Sequence, residues 1–398
     1  MSAEPIARDV QLEAFAQVCR LLDPFVGPAD LGPDAQWTAI ERFAEFHGVR
    51  PALFKALAAL PAAAAPAALQ QRLAEFQRLH RFRVMQTTGQ IVALAQALAA
   101  ADITALFFKG ATLGEQIYGG AQYREFNDVD VLVAPCQRRR AEQVIEACGY
   151  VPVIADLAFR HAFFDYFRQH NFRHQPSATT LDFHWGFVGT GPFPVTPAAA
   201  LASPDQIEQA GTPIHVPTPQ VQALILAGHG HKEGWAAFGW VLDFATFAAR
   251  NPALRWDQAA RTAAAQGCLE PLLGAVLLVQ RAFGAVIDQP LLSSALRRAH
   301  LVRAAEAVAL SAATLSERQL ANDLMGGFNL CETPRQRGAM ALSLLTTPTI
   351  GDYEAMPLPA RWWGLYRLSR PVRLALVALV KRAPVRSALW QRANRQLD

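Results

Sequence analysis

Residues 106–135, LFFKGATLGEQIYGGAQYREFNDVDVLVAP, decide how the chain is read. The apolar run 104–108 has the length and composition of a buried strand. Lys109-Gly110 follows, and then 111–118, where Leu113, Ile117 and Tyr118 recur at helical spacing. Gly119-Gly120 breaks that helix, a polar loop carries Arg124, and a second strand is expected over 128–133. Side chains alternate along a strand, so Asp128 and Asp130 project one way while Val129, Val131 and Val133 point into a core. Two carboxylates side by side repel, and a hard divalent cation, Mg²⁺ or Mn²⁺, is the common reason to tolerate them. A Lys-Gly turn at a helix N-terminus offers a triphosphate backbone donors, the positive end of a dipole and a cation. Gly110 suits both a tight turn and a close approach of backbone to phosphate. Anion cradle and paired carboxylates together are what two-metal transfer of a nucleotidyl or phosphoryl group requires.

The order strand, small-residue turn, helix, loop and Asp-x-Asp strand resembles the nucleotidyltransferase superfamily built on the polymerase-beta-like palm. The wording FKGATL, then Tyr118, Arg124 and NDVDVLV, is similar to the branch known as the uncharacterised nucleotidyltransferase family, where Lys-Gly replaces the usual Gly-Ser turn. Two further segments carry the likeness: TTLDFHW at 179–185 and ALILAGHGHKEGWAAFGWVLDFATF at 223–247. It runs weakly from about Phe43 to Arg370, and only the first block and the LDFHW strand are chemically specific. The resemblance implies a third carboxylate on a neighbouring strand, for which Asp182 is the candidate, with His184 on the same face. It also implies a small-molecule or peptide acceptor, and it places His229, Lys232 and Asp243 near the cleft.

Composition narrows the classes. The chain of 398 residues allows two or three domains and a sizeable core. Its hydrophobic share of 52% and charged share of 18% are globular, and a net charge of +4 makes a dedicated nucleic-acid groove an unlikely expectation. The N-terminal residues lack a basic region followed by an apolar one, so no secretory signal is read there. The apolar stretches near 57–69 and 372–380 are broken by Pro or Arg, and no transmembrane segment is expected. Cys19, Cys136, Cys148, Cys268 and Cys331 are scattered, which argues against a disulfide framework or a Cys-x-x-Cys metal site. A cytoplasmic address follows.

Helical periodicity covers about 9–99, with the Ala/Pro stretch 61–66 separating two helices. Strands and helices mix over 102–217: after the Asp-x-Asp strand come a helix at 136–148, basic through Arg138, Arg139 and Arg140, a stop at Gly149, and a strand at 150–154. A polar and aromatic stretch, 159–174, precedes the LDFHW strand. From Thr218, a plausible N-cap, to about 315 the pattern is helical again, and a basic amphipathic helix lies near the C-terminus. The expected fold is α+β: a small mixed-sheet core at 101–217, flanked by helical regions at 1–100 and 218–398.

Each candidate residue has a plainer reading. Asp128 and Asp130 could be solvated strand-end acids, Asp182 and His184 a buried hydrogen-bonded pair, and Lys109 an ordinary turn lysine. Arg124 either pairs with an acid or neutralises the leaving pyrophosphate. His229 and His231 lie two apart on a helix, about 200° around it, and so do not converge on one metal. The aromatic group Trp235, Phe238, Trp240 and Phe244 reads as core. The basic residues Arg367, Arg370, Arg373, Lys381, Arg382 and Arg386 fit a helix docked on the protein better than one lying on a membrane.

The expected reaction is Mg²⁺-dependent transfer of a nucleotidyl or phosphoryl group from an NTP to a hydroxyl or phosphate of the acceptor. Asp128, Asp130 and Asp182 would hold metal, and Lys109, Gly110 and Arg124 the triphosphate. The rivals are a sugar- or phosphate-bearing donor in the same site, and a non-catalytic nucleotide-binding or antitoxin-like regulator.

Overall fold

The structure, a computed structural model, describes residues 7–154, 168–314 and 323–381. Its centre is a five-stranded mixed sheet in the order β1-β2-β5-β4-β3. The strands are β1 (Ala105–Phe107), β2 (Asp128–Val133), β3 (Tyr150–Pro152), β4 (Gln169–His174) and β5 (Thr180–His184). β2 and β5 run parallel, with Asp130 opposite Asp182, and the other pairs are antiparallel. A hairpin of β6 (Asp205–Gln209) and β7 (Thr212–Val216) packs beside β1.

Strand alternation gives the sheet two different faces. Phe107, Val129, Val131, Val133, Phe172, Leu181 and Phe183 lie in one apolar cluster. The helix α4 (Ala67–Ala100) covers this face with Val84, Ile91, Leu94 and Leu98, and α6 (Arg138–Ala147) adds Ala141 and Ile145. The opposite face carries Asp130, Asp182 and His184, with Leu106, Phe108 and Leu132 joining a second cluster. The sequence reading assigned burial to the valine side alone. Both faces are covered: Asp130 is 3% exposed and Leu132 0%.

That second cluster is built by both ends of the chain. Helices α1 (Arg8–Leu21), α2 (Trp37–Phe46) and α3 (Arg50–Ala58) pack with the helices Pro219–Lys232, Phe238–Arg250, Glu270–Phe283 and Ala299–Ala313. Phe238 lies 5.6 Å from Phe15 and 5.3 Å from Phe43, ring centre to ring centre. His47 Nε2 donates to the Ala312 carbonyl at 3.1 Å, while Nδ1 accepts from the Phe238 amide at 3.2 Å. Helix α4 reaches both clusters, with Leu69 and Leu73 in one and its last turns in the other.

Several local expectations are corrected. Residues 136–148 are not one helix: a 3-10 turn, Pro135–Gln137, precedes α6. Arg138 is not on an exposed basic face; it is buried, pairs with Glu142 and lies over the Trp185 ring at 4.8 Å. Strand β3 stops at Pro152, two residues short of the expected end. The stretch read as 159–174 ends in strand β4, and its part up to 167 lies outside the described residues. Thr218 occupies the N-cap of its helix without a side-chain bond, and Pro219 at N1 removes one of the unsatisfied donors.

Trp235, Phe238 and Phe244 are core, as read, and Trp240 is half-buried. The C-terminal helix Tyr366–Lys381 docks through buried Arg370, which pairs with Asp352 at 2.6 Å; Arg382 and Arg386 lie outside the described residues. Among the described residues no helix is long and apolar enough to cross a membrane.

Candidate active site

Lys109 stands at the N-cap of α5 (Gly110–Tyr118) in an extended conformation, and Gly110 turns the chain with φ +53°. A Cβ on Gly110 would fall 2.8 Å from the Asp128 carbonyl. Glycine is therefore required twice over, for the left-handed backbone and for the close approach to β2. That contact seats the helix N-terminus against the start of the Asp-x-Asp strand.

Asp130 is the hub. Its Oδ1 accepts from Lys109 Nζ at 3.1 Å and from His184 Nε2 at 3.2 Å. Asp182, its register partner on β5, is held through Oδ1 by Asn171 Nδ2 at 2.5 Å. Ligand atoms of Asp130, Asp182 and His184 all lie within 4.8 Å of one another. Asp128 is outside that trio, one strand pleat away, and feels Asp130, Lys109 and Arg124.

The electrostatics follow from crowding. Burial works against the Asp130 charge, but Lys109 and the His184 hydrogen bond outweigh it and hold the carboxyl below the usual range. Burial, then repulsion from Asp130 and Asp128, pushes Asp182 up to about 7. Asp128 is raised by burial and by Asp130, against the pull of Lys109 and Arg124. Burial lowers His184, with the Asp130 bond opposing, so its imidazole is neutral at pH 7. Oxygen donors that raise one another's pKa suit a hard cation, which relieves the repulsion.

A cavity of about 120 Å³ opens on this face, bounded by Lys109, Gln169, Asp182, His184, His229 and Lys232. The helix Pro219–Lys232 is tied to the end of β1 by Gln222 Nε2 donating to the Phe108 carbonyl at 3.3 Å. His229 and Lys232, near its end, line this cavity. His229 is kept neutral by burial, and by Lys109 and Lys232. His231 lines a different cavity with Trp235 and Gly274, so the two histidines diverge as helical spacing requires.

Asp243, on the helix Phe238–Arg250, sits elsewhere from that cavity. It accepts from Arg124 Nε at 3.0 Å and from the Tyr118 hydroxyl at 3.0 Å. Arg124 is half-buried in this pair, and of its two expected roles the acid partner is the one observed. Gln169, Asn171, Tyr118 and Glu233 were not read as site residues. The alternation in QHNFRH (169–174) carried the signal for the first two, since Gln169 and Asn171 share a face with Asp182 across the β4–β5 register.

The chain was compared with known proteins. No curated protein matches the chain. Among solved structures, the solution structure of the antibiotic-resistance factor ANT(2'')-Ia is a loose resemblance, with a TM-score of 0.32 and 13% identity over 46% of this chain and 91% of that one. Residues 33–284, more than half of the chain, match the family described as uncharacterised nucleotidyltransferase. With the Lys-Gly turn, the paired aspartates and the third acid on the adjacent strand already in place, the chain belongs to the uncharacterised nucleotidyltransferase family and is a transferase.

Proposed function

We propose that the protein transfers a nucleotidyl group from an NTP to a hydroxyl of a small-molecule or peptide acceptor, with Mg²⁺ or Mn²⁺, as a cytoplasmic enzyme. The observation that carries this reading is the register of Asp130 against Asp182, beside a lysine at a helix N-terminus. Asp130, Asp182 and His184 would hold the cation, with Asp128 beside them. When bound, it supplies positive charge to the oxygens that become more negative during transfer.

The chain's own groups do the rest. Lys109 and the first amides of α5 bind the phosphate tail, and Arg124, aimed by Asp243, adds charge at the Asp128 side. Asp182, oriented by Asn171, takes the acceptor proton. The acceptor oxygen bonds to the α-phosphorus, the bond to the bridging oxygen breaks, and pyrophosphate leaves. His229 and Lys232 wall the cavity and limit water, so that transfer competes with hydrolysis. In a division into 1–100, 101–217 and 218–398, the middle part would carry the acids and the helix Pro219–Lys232 of the last would close over them.

The test is incubation with each NTP and Mg²⁺ against a panel of hydroxylated small molecules and short peptides, following pyrophosphate and intact mass. A nucleoside-monophosphate mass gain that disappears in Asp130→Asn supports the reading. Consumption of a nucleotide sugar with no NTP turnover would move it to the rival donor. Metal-dependent nucleotide binding with no product from any acceptor would sink it in favour of a nucleotide-binding regulator.

A further inference from the structure

A second cavity, of about 250 Å³, lies at the loop that leads into the Asp-x-Asp strand. Arg124 and Asn127 line it, and Asn127 is the residue immediately before Asp128. Further walls are Phe46 at the end of α2, Tyr123 on the 3-10 turn Ala121–Tyr123, Trp240, and two acids already paired with arginine, Glu125 with Arg50 and Asp243 with Arg124. Phe46 is 41% exposed, and Tyr123 and Trp240 are half-buried, so these three aromatics have surface free to meet a ligand. Gly48 and Gly239 also line the cavity; a Cβ on Gly239 would meet the His47 carbonyl at 2.9 Å. The two cavities meet at a thin wall, where the Trp240 ring stands edge to face against His229 at 5.0 Å.

A transfer reaction needs two substrate spaces converging on one centre, and these two flank it. Asp182 lines only the first, so the acceptor hydroxyl belongs there. The second holds none of the three grouped ligands, but it has aromatic rings, a half-buried arginine aimed by Asp243 and an amide beside Asp128. Aromatic faces stack on any base, and cations beside them meet the phosphates that follow it. At about 250 Å³ it falls near the lower end of small-molecule pockets. We propose that this cavity, lined by Phe46, Tyr123, Arg124, Asn127 and Trp240, is the nucleoside subsite, holding base and ribose of the donor with its phosphates directed past Arg124 to Asp128; this rests on the transferase reading above.

The probe is titration calorimetry of the full chain with Mn²⁺, comparing inorganic tripolyphosphate with ATP, GTP, CTP and UTP. At least one nucleotide should bind roughly ten-fold or more tighter than tripolyphosphate. Phe46→Ala and Trp240→Ala should each cut that nucleotide's affinity by about ten-fold or more, the size of one lost stacking partner, and leave tripolyphosphate binding unchanged. Phe46 is at the surface, so its variant keeps the fold even if Trp240→Ala does not. Nucleotides binding no tighter than tripolyphosphate, or folded variants that bind them like wild type, would overturn the subsite while leaving the transferase reading intact. Binding of neither tripolyphosphate nor any nucleotide removes both.

Discussion

The two faces of the central sheet are made by the same strands and do opposite work. On one, Val129, Val131, Leu181 and Phe183 bury apolar surface under α4, each worth about 1.5–3 kcal/mol. On the other, alternating with them residue by residue, Asp128, Asp130 and Asp182 bring like charges together beside His184 in a half-closed site. Burying an ion pair contributes little net stability, so Asp130 with Lys109 and His184 is not there to hold the fold. The apolar face supplies the stability that lets the acidic face remain crowded.

Neutralising the acids should break the comparison most sharply. Asp130→Asn and Asp182→Asn are each expected to lower transfer by about 10³-fold; the melting temperature should stay level or rise in Asp182→Asn, where repulsion falls, and drop in Asp130→Asn, where Lys109 and His184 lose their charged partner. Product formation and thermal melts on the same preparation check both halves; undiminished transfer in either variant would remove that acid from the chemistry. Phe183→Ala, one residue along β5 and 0% exposed, should give the reverse signature. A loss of about 3–5 kcal/mol in urea unfolding is expected, with the folded fraction still active. If Phe183→Ala instead lost activity without stability, the two faces would not be separable in this way.

The separation was partly legible beforehand. Alternation within DVDVLV put the valines and aspartates on opposite sides, and LDFHW repeated the pattern on a second strand. Sequence could not show that the strands are parallel neighbours in a register that sets Asp130 against Asp182, because pairing is a long-range property. The ambiguity at Arg124 had the same origin: its partner, Asp243, lies 119 residues away. β4 was missed because QHNFRH is too polar to look like a strand, although it sits near the middle of the sheet. The shared core of α1–α3 with the later helices was also invisible, since helical periodicity marks a buried stripe and not what buries it.

Lys109 tests how far the acidic face depends on one cation. Lys109→Ala removes a positive charge from the phosphate position and the partner of Asp130 Oδ1. We expect kcat/KM for the triphosphate to fall about 10²-fold, with KM raised, and stability to fall by about 3 kcal/mol because Asp130 is left buried without its cation. Lys109→Arg should recover part of the binding. Loss of stability with unchanged kinetics would assign Lys109 to the fold instead.

The smallest expected effect sharpens the comparison from the side of the shared helical core. Burial lowers His47 from 6.5 to about 4, although its bond to the Ala312 carbonyl opposes the shift. The folded protein holds this imidazole neutral, with Nε2 donating and Nδ1 accepting, so protonation would turn the acceptor into a donor facing the Phe238 amide. A depressed histidine contributes stability that is complete above pH 6.5 and is lost as pH falls toward 4. One pH unit below 6.5 the loss from this group is about 1 kcal/mol. His231, lowered to about 4 by its own burial, adds a loss of the same sign. Urea unfolding at pH 7.5 and 5.5 should therefore show the wild type weaker at the lower pH. His47→Gln, which keeps a donor and an acceptor without a titrating ring, should reduce that difference by about 1 kcal/mol. An unchanged difference in the variant would mean that the ring protonates without cost, and that the contact joining α2 to the helix Ala299–Ala313 is looser than the geometry shows.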